Sequence, residues 1–251
     1  MFGVLSEIDG LAASIAAAAI STAGIAAAAM FGAVMERNAG YFSAFAVGLL
    51  SVAVALHLIP ETLDYSFGSI GWVFGGFAAM VLIGIVIQIV FNRGPEGAAL
   101  TFGYATIIGL AAHSFIDGVI YAAAFKDDIF TGWIATGGLL THEFPEGIIA
   151  FFLLAQAGLS RINAIILAFI AASLTTIAGT FAANGAVWIT EGPPMAAMLG
   201  TAAGALIYVL IVHLGPHAFR APKKRGYLFA QLGVAVGVAA IVLNNMAGGH
   251  H

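Results

Sequence analysis

The sequence predicts an all-α, polytopic membrane protein: eight transmembrane helices, both termini outside, one transmembrane domain over residues 1–251. Three observations carry this. First, 61% of the residues are hydrophobic and only 8% are charged, against about 25% charged in an ordinary soluble domain, and mean hydropathy is +1.04. Second, the apolar residues fall into eight runs, each close to the ~20 residues that cross about 30 Å of hydrocarbon. Third, the basic residues alternate between the gaps as the positive-inside rule requires.

The runs are 11–35, 41–62, 70–92, 99–124, 130–156, 162–186, 196–218 and 227–246. All should be helices, because lipid offers no partner for the amides of an open strand. The gaps carry turn residues ("ERNAG", "NRGPEG", "KDDIFTG", "EGPP", "APKKRG") and none is long enough for a soluble domain. With the termini outside, the inner gaps receive Arg37, Arg93, Arg161, Arg220, Lys223, Lys224 and Arg225, and the outer ones only Lys126. The cell (inner) membrane is the expected location. The start "MFGVLSEIDG" has no basic stretch, so no cleaved signal peptide is expected. The absence of Cys excludes disulfides and thiolate metal sites. The closing His250 and His251 are assigned no role. Nothing in the charge pattern points to nucleic acid. Small-residue faces, from 32 Gly and an Ala-rich first span, would let helices pack closely and would permit a homodimer.

Taken in order, the spans differ in their buried polar residues. Span two ends in "HLIPE", with His57, Pro60 and Glu61; span seven ends in "HLGPH", with His213, Pro216 and His217. Both read His-Leu-x-Pro with a second ligand type four residues on. Matching motifs on spans of opposite direction hint at an inverted repeat and at a pathway with one element near each membrane face. Span four holds "HSFIDG" and span five "HEFPEG". His113 and Asp117 are four apart and share a helix face, as do His142 and Glu146. Ser114 and Glu143 precede the same acids by three. Pro145 should kink span five and free the Thr141 carbonyl, and Gly118 and Gly147 should allow close helix contact.

At about 1.5 Å per residue, His113 lies about 14 residues into its span and His142 about 12, so both fall near the midplane. An ionisable group there costs about 2.5–3.5 kcal/mol on insertion scales. No Lys or Arg sits mid-span to neutralise Asp117, Glu143 and Glu146. A lone buried His is ordinarily a packing residue. Two imidazoles beside three acids on adjacent spans instead call for a cation. Facing each other, the spans would present His113, Asp117, His142 and Glu146 to one ion, and Ser114, Asp117, Glu143 and Glu146 to a second, with the shared carboxylates bridging. Imidazole with carboxylate suits Zn²⁺, Fe²⁺, Mn²⁺ or Cd²⁺ better than Ca²⁺ or Mg²⁺, which prefer oxygen alone. Ser114 is the weakest member, since Ser in a membrane helix ordinarily bonds back to its own backbone.

These residues resemble the ZIP (Zrt/Irt-like) family of divalent metal transporters. The fourth-helix signature there looks like His-Asn-x-x-Asp/Glu-Gly, which His113 to Gly118 matches apart from Ser114. The fifth looks like His-Glu-x-Pro followed by Glu-Gly, which His142 to Gly147 matches. "HLIPE" and "ALIYVLIVHLGPH" look like its second and seventh helices, with His217 where an acid is commoner. The resemblance implies eight spans, a two-metal site between helices four and five with the ligand sets above, and metal carried into the cytoplasm. The sixth span lacks the carboxylate that some members add, offering Ser173, Thr175, Thr176, Thr180 and Asn184. The expected function is therefore divalent metal transport, with zinc as cargo and no enzymatic activity. Two other readings remain: an intramembrane zinc-dependent hydrolase using the His-Glu-x-x-Glu stretch, and a proton-coupled carrier using Asp117 and Glu146 as a relay, which leaves the two histidines unexplained.

Overall fold

The computed structural model describes residues 2–32, 37–91, 95–125, 129–219 and 221–246, and every regular element among them is helical. Eight long helices follow in order: α1 (Phe2–Met30), α2 (Ala39–Tyr65), α3 (Ile70–Phe91), α4 (Pro95–Ala124), α5 (Ile129–Gln156), α6 (Arg161–Gly185), α7 (192–218) and α8 (Lys223–Met246). Among the described residues, all but α5 are long and apolar enough to cross a membrane. The first helix starts earlier than the expected residue 11, since Glu7 on its exposed side does not interrupt the helix. Helices α4 and α7 start earlier than expected because Pro95, and Pro193 in the first turn of α7, suit positions whose N–H has no partner anyway. Arg93, Lys126, Arg220, His250 and His251 lie outside the described residues.

Three helices contain a π-helical stretch: Val54–Leu58 in α2, Ile170–Leu174 in α6 and Val209–Leu214 in α7. In α2 and α7 the cause is local. Pro60 and Pro216 have no N–H to donate, and the residue before each donates five residues back, Ile59 to Val54 and Gly215 to Leu210. Helix α6 has no proline. There the wider turn is served by α1: the Ser21 hydroxyl lies 3.1 Å from the Ala172 carbonyl and 2.8 Å from the Ser173 hydroxyl, which is 3.0 Å from Thr22 Oγ1.

Four helix pairs make the bundle: α1 with α5, α6 with α4, α2 with α8, and α7 with α3. Each is closed by reciprocal glycines. A Cβ on Gly24 or Gly147 would strike the backbone oxygen of Phe144 or Ser21; on Gly179 or Gly118, that of Phe115 or Thr176. Gly48 and Gly233 oppose the Ala230 and Phe45 oxygens, and Gly204 and Gly76 oppose those of Val73 and Thr201. Without a hydrophobic drive between helices in lipid, such close backbone contact supplies the attraction. Exchanging α1 with α6, α2 with α7, α3 with α8 and α4 with α5 maps each pair onto another. That is the pairing pattern of an inverted repeat, and it leaves α4 and α5 packed on each other at the centre.

Candidate metal site

The central pair owes its position to the glycines. Gly118 follows Asp117 and lies on the backbone of α6; Gly147 follows Glu146 and lies on the backbone of α1. With their backs pressed to outer helices, α4 and α5 turn the acids inward. Asp117 is fully buried, and His113, Ser114, Glu143 and Glu146 are nearly so; His142 is partly exposed. Neither helix contains a Lys or Arg.

His113, Asp117, His142 and Glu146 each offer one ligand atom, and these four atoms all lie within 4.8 Å of one another. Asp117 Oδ2 is 3.3 Å from His113 Nε2 and 3.4 Å from His142 Nε2, and Glu146 Oε2 is 3.8 Å from His113 Nε2. The imidazole rings are 5.9 Å apart, centre to centre. These separations are long for hydrogen bonds, which cluster at about 2.7–3.2 Å. They fit a coordination shell better, because ligands held at about 2.1 Å around a tetrahedral zinc stand about 3.4 Å apart. Buried oxygens without a hydrogen-bond partner, Asp117 Oδ1 and Glu146 Oε2 among them, point the same way, since such groups normally have one.

Two of the six expected ligands are placed differently. The Ser114 hydroxyl lies 3.0 Å from the Leu110 carbonyl oxygen and also against Glu146 Oε1, and its single proton serves one of them at a time. Glu143 stands outside the set of four. Its Oε1 accepts a bond from the Tyr121 hydroxyl at 3.1 Å, and its Oε2 has no hydrogen-bond partner. Sequence reasoning passed over Tyr121. The available signal was its position, four residues after Asp117 and on the same face, where a polar hydroxyl interrupts an apolar run.

A cavity of about 50 Å³ adjoins the four. It is lined by Leu49, Ala53 and His57 of α2, His113 of α4, His142, Glu146 and Ile149 of α5, and Gly237 of α8. His57, in the π-helical stretch of α2, thus shares this cavity with His113, His142 and Glu146. His57 Nδ1 is 3.2 Å from Glu61 Oε1 on the next turn. On the opposite side, toward the end of α4, Tyr121, Phe125 and Leu139 pack with Ala13 and Ala17 in a closed apolar group. His213 falls in the π-helical stretch of α7 and His217 in the turn after it; their side chains lie outside the described residues. Ser173 and Thr180 of α6 face neighbouring helices: Ser173 meets α1, and Thr180 donates to the Gly118 carbonyl at 2.8 Å.

Comparison with known proteins accords with this arrangement. The family model for the ZIP zinc transporters matches residues 92–245. The zinc transporter SLC39A7 of Rattus norvegicus is 33% identical over 151 residues, covering 56% of this chain and 31% of that protein. The zinc transporter ZIP4 of Homo sapiens is 33% identical over 125 residues, covering 50% of this chain and 19% of its own. IAA-alanine resistance protein 1 of Arabidopsis thaliana is 33% identical over 117 residues, covering 46% and 24%. The chain matches about a third or less of the length of these curated relatives. With a family match over most of its length and a bundle of membrane-crossing helices around a His/Asp/Glu cluster, this multi-pass membrane protein belongs to the ZIP zinc transporter family.

Proposed function

We propose that the protein moves divalent metal, zinc first, toward the cytoplasm by alternating access through eight spans with both termini outside. The cargo is held at the midplane between α4 and α5 in a two-metal site. His113, Asp117, His142 and Glu146 hold the first ion. Ser114, Asp117, Glu143 and Glu146 hold the second when Glu143 turns from Tyr121 toward Asp117. His57 and Glu61, with His213 and His217 on α7, form the pathway to and from it.

The supporting observation is the four ligand atoms within 4.8 Å of one another, in helices without a basic residue. Uncompensated carboxylates in lipid are costly, and a dication held by two imidazoles and two carboxylates removes that cost. The relatives named as zinc transporters support zinc as the cargo. The cavity beside the four, with His57 in its wall, supports a route to one side, and the apolar group around Phe125 supports closure on the other.

The test is zinc flux into proteoliposomes. His142→Ala and Glu146→Ala should each abolish uptake while the protein still inserts and runs as a single species. Uptake at the native rate in both variants removes the proposal. A lipid or peptide substrate turned over by the same preparation, without flux, would favour a hydrolase instead.

A further inference from the structure

We propose that Tyr121 is a positioning residue that governs the second metal position by holding Glu143 away from the first; this rests on the two-metal reading above. The Tyr121 side chain is fully buried, and its hydroxyl donates to Glu143 Oε1 at 3.1 Å. Its ring is packed among Ala13, Ala17, Phe125 and Leu139. The phenol is therefore a fixed donor, unable to follow the carboxylate if Glu143 swings toward the site.

The carboxylate oxygens show what is at stake. Glu143 Oε2, Asp117 Oδ1 and Glu146 Oε2 are all buried without a hydrogen-bond partner. They belong to three of the four residues assigned to the second ion. Asp117 and Glu146 are already within the group around the first ion, whereas Glu143 is not. An ion at the second position draws Glu143 across through its free Oε2, and because the phenol is fixed, that movement lengthens the bond to Oε1. Binding there is weakened by whatever that bond contributes, because a ligand shifts a conformation only by its differential affinity for the two states. The first position makes no contact with the phenol and is untouched by it. Tyr121 thereby orders the two sites: the first fills readily, the second only at higher metal concentration.

The test is equilibrium metal binding to the full chain in lipid nanodiscs, with Cd²⁺ and Zn²⁺ as probes, at one fixed pH. Wild type should show one tight and one weaker ion. Tyr121→Phe keeps the ring and removes only the hydroxyl, and should bind the second ion roughly tenfold tighter, the factor that about 1.4 kcal/mol represents, with the first unchanged. Glu143→Gln should lose the second ion, and adding Tyr121→Phe to it should change nothing further. A phenol with a merely structural role would act equally in both backgrounds. An unaltered second ion in Tyr121→Phe, or equal effects with and without Glu143, overturns the inference. If His142→Ala binds both ions as wild type does, the metal-site reading itself is what fails.

Discussion

Gly118 of α4 and Gly179 of α6 each lie against the other's helix backbone. A Cβ on Gly118 would collide with the Thr176 carbonyl oxygen and one on Gly179 with that of Phe115. Thr180 adds a hydrogen bond to the Gly118 carbonyl at 2.8 Å. Because Gly118 follows Asp117, this contact sets how far the carboxylate reaches into the site. Gly118→Val should push the helices apart, at the about 1–3 kcal/mol typical of overpacking, lowering both the thermal midpoint in detergent and metal affinity. Gly75→Ala on α3, whose Cβ would meet nothing within 4 Å, should do neither.

Of the four clustered residues, Asp117 should be the costliest to neutralise. Its Oδ2 is 3.3 Å from one imidazole and 3.4 Å from the other, so one oxygen organises both histidines. Asp117→Asn keeps the shape and removes the charge. Zinc titrated calorimetrically into this variant should bind at least about tenfold more weakly, a loss of about 1.4 kcal/mol. An unchanged isotherm would place the ion elsewhere.

Zinc itself should stabilise the bundle. A ligand that binds only the folded state adds about 2.7 kcal/mol at a hundred times its dissociation constant. A thermal scan with zinc should therefore move to higher temperature, and the shift should vanish in His113→Ala. Magnesium at the same concentration should leave the midpoint where it is, since it prefers an all-oxygen shell.

The π-helical turn of α6 should depend on hydroxyls supplied by α1. Ser173 lies 2.8 Å from Ser21 and 3.0 Å from Thr22. Ser173→Val removes both of these contacts, at about 0.5–1.5 kcal/mol each, while Ser21 keeps the Ala172 carbonyl and Thr22 that of Ala18. Hydrogen exchange should quicken over Ile170–Leu174, while the π-helical turns of α2 and α7, which follow from Pro60 and Pro216, keep their protection.

The membrane class and the shared faces of the central His/Asp/Glu residues could be read from the chain alone. Helical spacing is local, so His113 with Asp117 and His142 with Glu146 had to share faces, and the lack of mid-span Lys or Arg left a dication as the natural partner. Pro60 and Pro216 likewise mark where α2 and α7 are distorted, because the missing N–H is a property of the residue. Three things came only with the tertiary structure. Glu143 turns to Tyr121 rather than joining the cluster of His113, Asp117, His142 and Glu146. His57, in the wider turn before Pro60, lines the central cavity. The glycines sort the helices into four reciprocal pairs. Small residues occur on nearly every span, so their pattern along the chain does not say which faces meet; that depends on which backbones can approach closely over their whole length, which is settled by packing between segments far apart in sequence.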